Sequence, residues 1–296
     1  LTDLNDYSIG IEDVLKEHFD EENIVYWMAF QILMGNVDTQ NRNVYLYSPL
    51  NSDIWYFIAW DNDGCLMRPE YELRNFSDQN SWEKGISNYW GNILFQRCLK
   101  SRSFREKLND AILDLREYLN KDMLTSKIES YKNVLKPYLY LMPDAEYEPL
   151  TSEQYDQIAA SLPDEIEKNY QLYLESLETP MPFYIGVPTI DGDKLKFNWD
   201  VSYDLDAEDI TYSVEVAGDY LFRDVIYQNT TLTVPEAEMD LPKAGQYFVR
   251  VRATNTSGKT QDAFDYYVTD EGKYYGMRCF YITEDSTVEE DDYEEG

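Results

Sequence analysis

Residues 24–64 read IVYWMAFQILMGNVDTQNRNVYLYSPLNSDIWYFIAWDNDG, and the changes of pattern within them decide the fold of the first half of the chain. Ile24, Met28 and Ile32 fall at i, i+4 and i+8, and Trp27, Phe30, Leu33 and Met34 fill most of the remaining circumference, which predicts a helix buried nearly all round. Asp20, Glu21 and Glu22 stand just ahead of it, where a helix N-terminus favours negative charge. After Gly35 the period changes. Val44–Tyr47 and Ile54–Trp60 are rich in β-branched and aromatic residues, and the turn-forming stretch Ser48–Asp53 between them makes the pair a β-hairpin.

Outward from this block the first half stays helical. Phe104, Leu108, Ile112, Leu115 and Leu119 mark an amphipathic helix. Ser126 and Glu129 have capping-box spacing ahead of Ile128, Tyr131 and Leu135, in a helix expected to end at Pro137. Pro163, Asp164 and Glu165 read as the first turn of a further helix running to about Leu177. The stretch TPMPFYIGVP, residues 179–188, carries three prolines and marks a boundary, since beyond it short strand-like runs recur with turn signals between them. They are Leu195–Trp199, Thr211–Val216, Phe222–Tyr227, Thr230–Val234, Tyr247–Ala253 and Phe264–Val268, a spacing that predicts an all-β immunoglobulin-like sandwich. The fold class is therefore α+β and multidomain.

The 296 residues carry 57 Asp+Glu against 25 Lys+Arg, a net charge of −32. So negative a chain repels phosphate backbones and anionic lipid, which excludes nucleic-acid and membrane-surface binding in the absence of a basic patch. With 43% apolar and 15% aromatic residues it folds rather than remaining a solvated polyacid. Three scattered cysteines, Cys65, Cys98 and Cys279, make neither a disulfide framework nor a paired-cysteine metal site and read as buried thiols, with one bonded pair and a spare thiol as the alternative. The longest apolar run, Ile24–Gly35, falls well short of the roughly twenty residues a membrane span needs. The lone His18 reads as a surface or capping residue and excludes a multi-histidine zinc centre.

Chemistry concentrates at the two ends of the hairpin. Asp38 follows the buried helix, Asn43 comes five residues later, and Asp61, with Asp63 beside it, follows the second strand. A phosphoryl-transfer site needs a carboxylate to accept or orient the nucleophile's hydroxyl, and an amide plus a second carboxylate to hold Mg²⁺ on a triphosphate. Protein kinases present these groups in the same order around a hairpin. Taken singly, Asn-x-Asp and Asp-Asn-Asp-Gly are also ordinary turn sequences. Asp61 and Asp63 suggest the start of a Ca²⁺ loop as well, but Leu66 stands at the sixth position, where the sharp turn of such a loop requires glycine.

GNVDTQNRNVYLY (35–47), WYFIAWDNDG (55–64) and the later Asn92–Arg97 and Ser103–Arg105 resemble the spore coat protein H (CotH) kinase family. The resemblance covers about Ile11–Leu177 and implies a kinase-like C-terminal lobe over residues 1–180, with Asp38 as catalytic base, Asn43 and Asp61 as Mg²⁺ ligands on ATP, and Asp63 supporting or sharing the metal. It also implies a protein substrate or surface partner and a place outside the cell or on a spore. Ala59 departs from the proline usual there, and the residues before Asp38 offer Lys16 but neither a strand-borne lysine nor a glycine-rich loop. The chain, which begins at Leu1, accordingly reads as an excised piece, and a non-catalytic surface or scaffold protein is the alternative.

Leu241–Gly258, with Tyr247 at a corner position and Trp199 as an early-strand core residue, resembles the late strands of a fibronectin type III domain, implied over residues 183–270. Residues 271–296 read as an acidic C-terminal tail, solvated from Glu284 onward.

Overall fold

The computed structural model describes residues 2–40, 43–74, 82–270 and 272–290. Its chain divides into two compact units, one made of Leu1–Ser77 and Lys84–Glu175, the other of Asp78–Glu83 and Ser176–Gly296. The first is helix-rich and the second is built of antiparallel sheets.

In the first unit the helices are α1 (Thr2–Asn5), α2 (Ile11–His18), α3 (Glu21–Met34), α4 (Arg68–Arg74), α5 (Ile93–Lys100), α6 (Arg102–Tyr118), α7 (Lys121–Leu139) and α8 (Ser152–Leu177). One hairpin, β1 (Tyr45–Tyr47) and β2 (Tyr56–Ile58), interrupts them. The α3 helix lies at the centre, with Ile24, Met28, Ala29 and Leu33 fully enclosed, as its all-round apolar sequence dictates. Asp20 caps it by accepting a hydrogen bond from the Asn23 amide at 2.9 Å.

The hairpin is held to the start of this helix. The Asn23 side chain donates to the Phe57 carbonyl (3.1 Å) and accepts from the Phe57 amide (2.6 Å), standing in for a neighbouring strand. Beneath the hairpin, Trp27 lies 4.8 Å from Phe57 and 5.6 Å from Phe95 between ring centroids, and Tyr89 meets Phe95 edge-on. Elsewhere, the buried Arg97 guanidinium donates to the carbonyls of Asp3, Leu4, Asp6 and Ile9, fastening the N-terminal segment to α5.

Two helices differ from expectation. The α7 helix starts at an Asn120 cap, whose side chain accepts from the Met123 amide, six residues before Ser126; Pro137 lies within its last turn. The α8 helix starts behind a Thr151/Gln154 capping box and runs through Pro163. A proline inside a helix removes one hydrogen bond and costs about 3 kcal/mol. In α8 that cost is offset by burial of Ala159, Ile166 and Tyr173 along one face.

The second unit contains β3 (Thr189–Asp191), β4 (Lys194–Asn198), β5 (Ile210–Ala217), β6 (Val225–Leu232), β7 (Glu236–Asp240), β8 (Gly245–Asn255), β9 (Thr260–Asp262), β10 (Tyr266–Thr269), β11 (Gly272–Tyr275), β12 (Met277–Ile282) and β13 (Val288–Glu290). The sheet β3-β4-β7 and the larger sheet β13-β12-β8-β5-β6, with β9 pairing β8, share one core. Leu195, Phe197 and Trp199 come from one side of that core, and Val214, Val216, Val249, Val251 and Phe280 from the other. The Tyr247 hydroxyl donates to the Lys243 carbonyl at 2.8 Å.

The expected runs at 222–227 and 230–234 contribute to a single strand, β6, rather than two. Most of the expected acidic tail is also structured: residues 272–290 form β11, β12 and β13, and Phe280 is fully buried because β12 pairs with β8 inside the main sheet. The charge count of that stretch concealed a strand buried on both faces, with Met277 and Cys279 packed into one cluster and Phe280 and Ile282 into another. Residues 291–296 lie outside the described ones.

Candidate active site

The site grows from the C-terminal end of α3. Gly35 adopts the left-handed conformation (φ 61°, ψ 32°) that ends a helix, and the Asn36 amide reaches back to the Gln31 carbonyl at 3.0 Å. Val37–Gln40 then form one 3-10 turn that carries Asp38 outward into solvent.

A buried amide cluster ties this turn to the one bearing Asp61. The Gln31 side chain donates to Asn62 Oδ1 (3.1 Å), and Asn36 Nδ2 donates to Gln31 Oε1 (3.0 Å) and Asn62 Oδ1 (3.4 Å). Asn36 Oδ1 accepts from the Asp38 amide at 3.3 Å. Thr39 Oγ1 is shared between the Asn36 carbonyl and the Tyr89 hydroxyl, while Asn88 donates to the Val37 carbonyl. Every one of these groups would cost free energy if buried without a partner, so the network fixes both turns together.

The second turn meets the first closely. The Leu66 amide donates to the Met34 carbonyl at 2.8 Å. A Cβ placed on Gly64 would stand 3.0 Å from both Asp38 Oδ2 and Asn36 Oδ1, so only glycine leaves the Asp38 carboxylate where it is. A further brace comes from α8: Asn169 donates to the Leu33 carbonyl (2.9 Å) and accepts from Arg68, which pairs with Glu165 at 3.2 Å.

Asp38, Asp61 and Asp63 are thereby gathered on one exposed edge. Repulsion from Asp63 pushes the Asp61 carboxyl above its ordinary range, with partial desolvation, a hydrogen bond with Asp63 and the charge of Asp38 adding to it. Burial pushes the nearby Cys65 thiol up to about 12, with the charges of Asp63 and Asp38 in the same direction, so it stays protonated and is no nucleophile. Cys65 is half-buried, not the enclosed thiol expected, whereas Cys98 and Cys279 are enclosed.

Asn43 is placed less tightly. Tyr45 pairs with Ile58 in the hairpin, so two residues further out on each strand Asn43 and Trp60 share its open end, next to Asp61. No hydrogen bond among the described residues joins Asn43 to Asp38 or Asp61. Among the described residues six non-glycine positions have positive φ, and three of them, Asn43, Asp61 and Leu66, fall in this small region. Backbone held in that uncommon region recurs at functional sites.

Sequence reasoning missed the supporting groups Gln31, Asn36, Asn62, Arg68 and Asn169. Gln31 was the available signal, as the one polar side chain inside the apolar run of α3. A separate group, Asp3, Glu17 and His18, brings three potential ligand atoms within 4.8 Å of one another. There His18 Nε2 and Asp3 Oδ2 already satisfy each other at 2.8 Å.

The family model described as CotH kinase protein matches residues 1–173. Curated proteins give no match. Among solved structures, that of the surface layer protein SbsC, domains 1–6, is 14% identical over 93% of this chain at a TM-score of 0.17, too slight a likeness to bear on fold or function. The present chain covers 38% of the length of that one.

Proposed function

The chain belongs to the CotH kinase protein family, and from that premise we propose that it is a kinase-like enzyme of the cell or spore surface that transfers the γ-phosphoryl group of ATP to a Ser or Thr hydroxyl of a protein. The observation carrying this reading is the convergence of Asp38, Asp61 and Asp63 on one edge, braced by a buried amide cluster, inside the stretch the family model covers.

The donor set suits magnesium. Carboxylate and amide oxygens are the hard ligands that ion prefers, and the mutual repulsion that raises the Asp61 carboxyl is relieved by a divalent cation. Asn43, Asp61 and Asp63 would hold it; when bound it supplies charge neutralisation on the triphosphate.

Asp38 acts on the acceptor. Its carboxylate takes the proton of the incoming hydroxyl as the new oxygen–phosphorus bond forms, while the bond from the γ-phosphorus to the bridging oxygen breaks and ADP leaves. Positioning carries most of this chemistry, which is why the turn bearing Asp38 is anchored to Asn36, Thr39 and Gly64. The exposed Tyr45 and Trp60 rings, 4.9 Å apart between centroids and inclined to each other by 42°, give an aromatic surface beside Asp61 against which a nucleobase can pack. For the second unit we read a fibronectin type III-like binding module; the strand order β3-β4-β7 and the hydrogen bond from Tyr247 to Lys243 support that reading.

The test is phosphate transfer from labelled Mg·ATP to a protein acceptor, paired with calorimetric titration of Mg·ATP. Asp38→Ala is expected to lower transfer about 100-fold or more while keeping nucleotide affinity. Asp61→Ala is expected to lose both. Equal labelling by wild type and Asp61→Ala would sink the metal role, and a wild type without Mg-dependent ATP affinity would leave a non-catalytic scaffold.

A further inference from the structure

On α7 the residues Tyr131, Val134, Leu135 and Tyr138 are 63, 63, 51 and 66% exposed, and Leu141 and Met142 in the turn beyond are 58 and 68% exposed. Spacings of three and four place the helical four on one face. Leu124, still 9% exposed, is the one buried residue among the described residues of this helix, so α7 spends most of its apolar side chains outward. The six together offer roughly 700 Å² per copy, close to the ~800 Å² each partner gives to an interface of standard size. A contiguous apolar patch of this extent marks an interaction site.

Charge around the patch selects the occupant. Lys132 and Lys136 point away from the patch and are paired with Glu129 and Asp156. Lys127 lies on the apolar face one turn before Tyr131 and has no ion-pair partner among the described residues, while the exposed Asp144 and Glu146 follow the far end of the patch. Positive charge at one end and negative charge at the other is the pattern that pairs with itself when two identical faces meet antiparallel across a two-fold axis. Such a meeting sets Tyr131 against Tyr138 and Val134 against Leu135 near the axis, and brings Lys127 of each copy toward Asp144 and Glu146 of the other. It also gives two copies of a chain with net charge −32 a contact that contains attraction.

We propose that the exposed face of α7 is the interface of an antiparallel, two-fold homodimer of this chain. The proposal is independent of the catalytic reading. Its test is sedimentation velocity on the full chain from micromolar to about 100 µM protein. The wild type is expected to associate reversibly to a dimer, and Val134→Glu to remain monomeric with unchanged circular dichroism and thermal midpoint. Lys127→Glu is expected to weaken association about tenfold, and adding Asp144→Lys and Glu146→Lys to it to restore the wild-type constant. A wild type that stays monomeric throughout leaves the face to a different protein and overturns the proposal. So does a Val134→Glu variant that dimerises as well as the wild type, or a charge exchange that fails to restore association.

Discussion

Asp61 and Asp265 are both carboxyl groups pushed above their ordinary range, and the difference in cause decides what each means. At Asp61 the first cause is the charge of Asp63 on an exposed edge, which a bound cation or salt relieves, so its shift says little about stability. At Asp265 the first cause is burial: the side chain is 12% exposed and its pKa rises to about 6, although the Ile185 amide (2.7 Å) and the Arg278 guanidinium (3.7 Å) favour the ionised form. Between the unfolded value of 3.8 and the folded value near 6 the native state binds the extra proton, so this group's stabilising contribution is complete below the lower value and is lost as pH rises through the upper one. Asp265→Asn keeps the acceptor for the Ile185 amide and removes the titration. We expect the variant and wild type to be about equally stable near pH 4, and the variant to gain on the order of 3 kcal/mol at pH 7.5, measured by urea unfolding across that range. A difference that does not change with pH would show that Asp265 is not charged against its surroundings.

At the level of elements, α3 and the hairpin were legible because each obeys one period: α3 is apolar all round between an Asp20 cap and a left-handed Gly35, and β1 and β2 fall inside the two aromatic runs. The starts of α7 and α8 were not, because the true caps, Asn120 and Thr151, precede stretches of mixed polarity, and because prolines that usually end helices are carried inside both. Legibility of the site divides the same way. The order of Asp38, Asn43 and Asp61 is local and visible, whereas the brace from α8 joins residues more than a hundred positions apart through side chains that carry no motif. That brace has a measurable consequence. Asn169 is buried between the Leu33 carbonyl and Arg68, and its amide would lie 2.7 Å from a Cβ added to Gly35, so it fills the space beside the α3 cap. Asn169→Ala leaves two partners unsatisfied and is expected to destabilise the first unit by about 2–3 kcal/mol. Faster hydrogen exchange at the end of α3, with β5 and β8 unaffected, would locate the loss. An unchanged exchange rate there would show that α3 is held without α8.

For the molecule as a whole, the sequence boundary at residues 179–188 overlooks Trp82, which lies about a hundred residues upstream and belongs to the second unit. Its ring stands 5.1 Å from Phe264 and 6.3 Å from Tyr275, both edge-on, and the side chain is 6% exposed. No period announces this residue, because its burial depends on a surface made by β-strands far along the chain. The second unit's stability therefore rests partly on a segment that a cut at the proline-rich boundary would discard. Trp82→Ala in the full chain removes the largest side chain from that contact and is expected to cost about 3 kcal/mol, the lower end for loss of a buried aromatic ring. The loss should fall on one side only. Amides of β5 and β8 should exchange faster by a factor matching that free energy wherever exchange proceeds through opening of the whole unit, while amides of α3 and α6 keep their wild-type rates. Equal acceleration in both sets would mean that the two units unfold as one, and no acceleration in β8 would mean that Trp82 covers the sheet without stabilising it.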